Sequence, residues 1–584
     1  MANRRYSSGY YESEGSNRFK HGPGSAWLWG PLLGVLVILV ALAVIWGICW
    51  LVAVIFWDAG AVVWRNTGGM IQGALFPGGW PTPFFWILLA VLLSAMGLKL
   101  AYDRDSGSAA MAWLLAILMV VGAVALGITK GVTHGILASD YYLTTTTIKV
   151  EDPDALPSML AKYDNNGTLE VDVEQGSLPS GWVPRVASAT GAFNVMKKTG
   201  DAINNTSLMD DTITYIYGEN GGGQWTAIRN GINRQYIYGV ATWNGTGDRV
   251  DACRFTGDYA IHKTFGGMWP GNNLWNAVAG TYPSFFYNES DMWGYCDGDE
   301  PIVVIPGVQL SHYDMQTTDA SAGVVTIRGS RSGEPVIELF ADVQPGDFPG
   351  PVYAERLVDN QRNALDWSAG YWQSVNESFG FDATDVASQA GNNTNYLMQN
   401  EVDGRLYWVT PLKPQSTDSQ TLIAYSVIPA DEVSASKFNE QVVYVLNEDD
   451  SRVVNLDDLL ARVKSTVCEV DTNFCGDNAN GGIVEFLPVT DTQWQVFAEV
   501  QGRVKYRIDV DVDARIQPKI VDIDLNQTVD PDAPKEPNED PSNEPNVPPS
   551  TATDVNCNDP SSLTDAQLAT CLSTLTDELK SRSE

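Results

Sequence analysis

The sequence predicts an α+β protein, with three N-terminal transmembrane helices ahead of a multi-part extracytoplasmic ectodomain. Three observations predict this class. Three apolar runs occupy the first quarter of the chain. The acidic remainder interleaves short β-rich runs with isolated helical patterns. Six of the chain's seven cysteines lie in that remainder and fall into sequence-local pairs.

Residues 1–25 are polar and rich in Ser, Gly and Tyr, a composition that builds no core, and read as a disordered cytoplasmic tail. The membrane domain, 26–134, follows. The apolar run Ala26 to Trp57 gives an expected span over 31–57, and the two later runs give spans over 84–101 and 109–129. A helix rises about 1.5 Å per residue and the hydrocarbon layer is about 30 Å thick, so runs of this length suit a crossing. Trp27, Trp57, Trp86 and Trp113 lie near the run ends, as interfacial rings do. Arg4, Arg5, Arg18 and Lys20 in the tail, with Lys99 and Arg104 between the second and third runs, put both segments on the cytoplasmic side. The expectation is a multi-pass plasma-membrane protein with its N-terminus inside and its large C-terminal part outside. No acid or base lies deep within the runs to mark a transport pathway.

Charge divides the chain. Residues 1–134 hold 8 Lys+Arg and 5 Asp+Glu, out of 36 and 71 in the whole sequence, which leaves 28 against 66 for the rest. Such a surface repels nucleic acid, whose binding depends on phosphate neutralisation by Lys and Arg, so nucleic acid is excluded as a partner. Cys49 sits in an apolar run. The other six suggest the disulfides Cys253–Cys296, Cys468–Cys475 and Cys557–Cys571, as expected in an oxidising compartment. No C-x-x-C pair or spaced histidine favours zinc. Eight N-x-S/T sequons, from Asn166 to Asn526, lie in the same acidic part.

The ectodomain divides into 135–330, rich in aromatics, and 331–525. Strands are expected at Thr212–Tyr217, Gln235–Thr242, Pro301–Ile305, Gly323–Ile327, Pro335–Phe340, Leu406–Val409, Thr421–Val427 and Gln441–Val445. Helices are expected at Tyr353–Trp367 and Asn455–Val467, the second from Leu456, Leu459, Leu460 and Val463 at helical spacing. Val484–Leu487, Trp494–Val500 and Val504–Val512 read as a meander. The stretch Lys505-Tyr506-Arg507-Ile508-Asp509-Val510-Asp511-Val512-Asp513-Ala514, ending in Lys519-Ile520-Val521, resembles the last strands of PepSY-type modules. That resemblance implies a small extracytoplasmic α+β unit over 484–524, with the 455–467 helix before it. Residues 526–556 form a Pro-rich acidic linker. Residues 557–584 carry a capping box at Thr564 and Gln567 and a stripe of Leu568, Leu572, Leu575 and Leu579, expected to dock on a partner protein or on a second copy.

Catalytic signatures are sparse. Gly329-Ser330-Arg331-Ser332-Gly333 has arginine where a nucleophile elbow needs serine, and no P-loop, G-x-G-x-x-G or H-E-x-x-H is present. The acids Asp297 and Asp299 are the candidates for a hydrolase. Asp471, Asn473, Asp477 and Asn480 offer oxygen ligands on one loop and are the calcium candidates. Trp243, Trp269, Trp275 and Trp293 are the candidates for binding a cell-surface glycan, because exposed rings beside Asn and Asp suit sugar faces. The expected role is non-catalytic assembly, docking or adhesion in a cell envelope. Glycan binding through the aromatics of 225–295 and extracytoplasmic hydrolysis are the alternatives.

Overall fold

The computed structural model describes residues 83–529 and Gly47, except for 103–105, 152–171, 184, 202–205, 218–222, 232–235, 246–248, 266–271, 314–315, 370–379, 385–394, 416–418, 447–452, 477–479, 491, 501–502 and 524–526. The chain divides into two units, Met1–Pro531 and Asp532–Glu584. The description below concerns the first.

The α+β expectation is corrected: the fold is mostly β-sheet with few helices. Helical spacing does identify α5 and α6 below. Each of these short helices covers part of a sheet rather than forming a layer of its own, and the strands are longer and more numerous than their apolar runs suggest. The membrane expectation is also corrected. Among the described residues no helix is long and apolar enough to cross a membrane, so neither the three spans nor the multi-pass localisation is supported. The first run lies outside the described residues apart from the helical Gly47. The second forms α1 (Pro83–Tyr102), and the third is the start of a longer helix, α2 (Ser106–Leu143). Apolar composition alone hides how these helices are used. Their small residues Ala90, Ala112, Ala116 and Ala123 are buried, and a Cβ at Gly97 would lie 3.1 Å from the Trp113 ring, so α1 and α2 pack closely on each other. Large side chains such as Val91, Met111, Ile117 and Val121 stay exposed.

The end of α2 is anchored in the β-rich region. The Tyr142 hydroxyl accepts the Asp319 N–H at 3.1 Å and an Asn360 amide proton at 3.1 Å, while Tyr141 and Tyr142 pack on Phe438. Asp319 belongs to a long hairpin, Glu300–Tyr313 with Gln316–Arg328, whose register slips between Ser321 and Gly323. Trp293–Asp297 and Val336–Phe340 flank that hairpin to complete a four-stranded antiparallel sheet.

A second sheet joins Thr206–Leu208, Thr214–Tyr217, Gly223–Gly231, Ile237–Trp243 and Asp251–Arg254. A third, seven-stranded sheet runs Phe381–Ala383, Leu406–Pro414, Ala424–Pro429, Gln441–Val445, Thr146–Val150 and Asp172–Gln175, with Tyr396–Gln399 also on Leu406–Pro414. Thr146–Val150 pairs in parallel with both neighbours, Asp172–Gln175, which follows it, and Gln441–Val445, far along the chain. The fourth is a five-stranded antiparallel meander, Gly481–Pro488, Gln493–Val500, Arg503–Asp511, Lys519–Asp522 and Gln527–Val529.

Among the described residues four further α-helices pack among these sheets: α3 (Ala189–Asp201), α4 (Leu274–Thr281), α5 (Glu355–Ala364) and α6 (Leu456–Val470). In α6, Leu456, Leu459, Val463 and Val467 are buried at helical spacing and share a core with Trp494, Phe497 and Ile508 of the meander. The Asn455 side chain caps α6 by accepting the Asp457 N–H at 2.9 Å. That core continues into Tyr425 and Val427 of the seven-stranded sheet, so the meander is welded to the rest rather than hung beside it.

Candidate functional site

Trp243, Trp275, Trp293 and Asp471 are held by packing or by bonds to neighbouring residues. Trp293 is fully buried and donates from Nε1 to the Pro351 carbonyl at 2.8 Å. Trp243 is buried with Trp225 and Tyr215 in one small core. Trp275 lies between the rings of Phe265 and Tyr287, at 4.6 and 4.9 Å. Trp269 lies outside the described residues. Trp243 and Trp293 thus sit in cores and Trp275 is half-buried, while Tyr236 of the same stretch is exposed.

Asp471 is taken by other partners. Its Oδ2 meets Lys505 Nζ at 2.6 Å and its Oδ1 accepts the Asn473 N–H at 2.9 Å. These bonds outweigh desolvation and hold the Asp471 carboxyl below its ordinary value. Asn480 is exposed and Asp477 lies outside the described residues. Among the described residues no three His, Cys, Asp or Glu side chains converge to hold a metal.

Cys253–Cys296 and Cys468–Cys475 are disulfides, which fits an oxidising compartment. Cys557–Cys571 and the stripe Leu568, Leu572, Leu575 and Leu579 lie outside the described residues. Asp297 closes a tight hairpin with Glu300 and lines a groove of about 350 Å³ with Tyr217, Tyr295 and Phe348. The other acid of that groove, Asp431, is bound to Arg405 at 2.9 Å and to the Leu406 N–H.

A different set of residues converges on one point. Arg185, Tyr215, Trp225, Glu355, Trp408 and Glu485 line a cavity of about 90 Å³ where three sheets and two helix N-termini meet. Glu485 is placed there by a β-bulge. Strand Gly481–Pro488 pairs Val484 with Phe497 but Leu487 with Gln495, and within that slip Glu485 adopts φ +52°. A left-handed φ costs a side-chain-bearing residue about 1–2 kcal/mol, and bulges characteristically re-aim one side chain. Here the re-aimed side chain is a carboxylate only 3% exposed.

Its Oε1 accepts the N–H of Ala189 at 2.7 Å, the first residue of α3, where the helix favours negative charge. Its Oε2 is ion-paired with Arg185 Nη1 at 3.6 Å and accepts no hydrogen bond among the described residues. Burial raises the Glu485 carboxyl, and Arg185 partly opposes that rise. Arg185 packs against the rings of Tyr215 and Trp225, which lie 5.1 Å apart and each 5.4 Å from its guanidinium carbon, and donates from Nη2 to the Leu397 carbonyl. Its Nε–H is buried with no hydrogen-bond partner among the described residues. Next to this pair, Ser188 caps α3 by accepting the Gly191 N–H at 3.0 Å and donates to Glu499, whose carboxyl burial pushes up to about 7.

The opposite wall is the first turn of α5. Ala354 at its N-cap has no polar side chain, and Asp291 supplies the missing acceptor from another segment by taking the Glu355 N–H on Oδ1 at 2.7 Å. Burial, then repulsion from Asp291, pushes the Glu355 carboxyl up to about 7. Burial, with repulsion from Asp359, raises Asp291 to about 7 as well. Asn395 steadies the group, donating to Glu355 Oε1 at 3.3 Å and to Asp359 Oδ1 at 2.9 Å while accepting from Thr410 and Arg362. Ser290 is exposed yet lines the cavity, and so marks its mouth.

No family model, curated protein or solved structure matches this chain. The cavity is read from its own residues. Sequence reasoning misses it because its members, at 185, 215, 355 and 485, come together only in three dimensions. One local signal is present: Glu485 interrupts Ile483-Val484-Glu485-Phe486-Leu487, an acid inside an apolar strand.

Proposed function

We propose that this is a non-catalytic docking protein that captures its partner through a small polar group seated in the Arg185–Glu355–Glu485 cavity. The observation that carries this reading is Glu485. A buried carboxylate, on a strained backbone at a bulge and ion-paired with a buried arginine, lines the same cavity as that arginine. Interiors satisfy their polar groups, and both strain and unmet hydrogen bonds gather where a ligand completes them. The acidic surface keeps the protein in solution around the site and repels anionic polymers, which leaves recognition to this sheltered point. Binding sites commonly form where several elements meet, as here.

The test is calorimetric titration of the purified chain with three sets of small polar probes: neutral monosaccharides, zwitterionic amino acids and alkylamines. Saturable binding of any one set, abolished by Ser290→Trp at the cavity mouth, is the expected result. No saturable binding in all three sets, or binding that Ser290→Trp leaves intact, overturns the reading.

A further inference from the structure

We propose that Asn288 is a modification site, the acceptor of an N-linked oligosaccharide. Of the eight N-x-S/T sequons, Asn288-Glu289-Ser290 is the one that lies wholly among the described residues, and all three of its residues are exposed. Asn288 has an extended backbone, φ −105° and ψ 155°, and precedes the single 3₁₀ turn Glu289–Asp291. Its side chain forms no cap on that turn. The Asn288 carboxamide and the Ser290 hydroxyl are thus open to solvent, with no hydrogen-bond partner among the described residues.

The fold holds this tripeptide out by anchoring the chain on either side of it. Before it, Phe286 exchanges backbone hydrogen bonds with Val308 at 2.8 and 2.7 Å, and the Tyr287 ring stacks on Trp275 with centroids 4.9 Å apart. After it, Asp291 turns inward to take the Glu355 N–H, and Met292 and Trp293 are fully buried. A bulky, solubilising group needs such a place, at the surface and on a side chain that the packing does not use. The disulfides Cys253–Cys296 and Cys468–Cys475 fit the oxidising compartment that secreted chains meet, and secreted chains are where such acceptors are used.

The step is a glycosyl transfer from a lipid-linked phosphate donor. Asn288 Nδ2 bonds to the anomeric carbon of the donor sugar. The bond from that carbon to the phosphate oxygen breaks, and the phosphate leaves with the electron pair. Nδ2 gives up one proton to a base of the transferase, and nothing is oxidised or reduced. The hydroxyl two residues on, at Ser290, is the group by which the transferase selects this asparagine; threonine keeps that hydroxyl and alanine removes it. The modification is independent of what the cavity beside Ser290 binds.

The experiment uses the full chain purified from the cells that naturally produce it, reduced, digested and read by mass spectrometry. The expected result is a peptide spanning Asn288 that carries sugar-residue mass increments. Release by an amide-cleaving glycosidase in heavy-oxygen water is expected to leave a labelled aspartate at 288. Ser290→Ala, made in the same cells, is expected to abolish the modification, and Ser290→Thr to retain it. The threonine variant separates enzymatic transfer from spontaneous deamidation, which needs no hydroxyl. An Asn288 peptide of unmodified mass in the wild type overturns the proposal. So does a modification that survives Ser290→Ala, or one that is lost in Ser290→Thr.

Discussion

Asp291 caps the helix that carries Glu355: its Oδ1 accepts the Glu355 backbone N–H at 2.7 Å, and burial raises both carboxyls. Neither residue is near the other in sequence, and the pair has a consequence for stability.

Both carboxyls bind a proton more tightly in the folded chain, at about 7, than at their ordinary values of 3.8 and 4.5. Between these limits the native state holds more protons than the unfolded state, so stability falls as pH rises. The contribution is full below about pH 4 and is lost as pH passes 7. A tenfold change in proton affinity is worth about 1.4 kcal/mol, so shifts of this size contribute several kcal/mol. Urea midpoints of the wild type are therefore expected to drop between pH 5 and pH 8. Asp291→Asn, which keeps an acceptor for the helix N–H, is expected to flatten that drop. Equal slopes in the two proteins would show that the carboxyls titrate normally.

The two disulfides differ in what they close. Cys253–Cys296 joins the edge strand Asp251–Arg254 of one sheet to Trp293–Asp297 of another, across 43 residues, whereas Cys468–Cys475 spans 7 at the end of α6. Loop-closure entropy assigns roughly 4 kcal/mol to the longer link and roughly 2 to the shorter. Cys253→Ala with Cys296→Ala is expected to lower the thermal midpoint more than Cys468→Ala with Cys475→Ala. The reverse order in calorimetry would mean that the short loop carries native contacts worth more than chain entropy.

Trp293 anchors the four-stranded sheet to the segment after it. Its indole N–H bonds the Pro351 carbonyl, and a Cβ at Gly350 would come within 2.8 Å of its ring and 2.7 Å of the Ile216 side chain. Trp293→Ala is expected to cost about 3–5 kcal/mol through cavity formation. Gly350→Ala is expected to be destabilising in the wild type and clearly less so in the Trp293→Ala background, where the ring is gone and Ile216 has room to move aside. Additive costs in chemical denaturation would place the glycine's constraint elsewhere.

Those strands and helices that are legible in sequence carry local signals. Gln441–Val445 is found where its alternation puts it, and α6 follows the spacing of Leu456, Leu459 and Val463. The strand Glu300–Tyr313 extends well beyond Pro301–Ile305, since its outer half is polar and draws its order from pairing with Gln316–Arg328. Apolar composition misleads at α1 and α2, where run length says nothing about the small residues that the helices press together. The rings of Trp243, Trp275 and Trp293 look alike in sequence whether they face solvent or core, and packing decides for the core. Arg185 gives no signal at all: an arginine beside a proline becomes informative only once Tyr215, Trp225 and Glu485 surround it.

The bulge at Glu485 permits a test that separates strain from charge. Removing the carboxylate leaves Arg185 buried without its counter-charge, which costs about 3–5 kcal/mol for a broken buried pair. Glu485→Ala and Glu485→Gly share that loss. They differ in backbone: at φ +52° alanine keeps the left-handed penalty and glycine does not. The glycine variant is therefore expected to be the more stable of the two by about 1 kcal/mol, against the usual preference for alanine within a strand. Both are expected to lie below the wild type in urea denaturation. An alanine variant at least as stable as the glycine variant would mean that the bulge relaxes once the side chain is removed, and that the carboxylate, held by Ala189 and Arg185, is what forces the backbone into its left-handed turn.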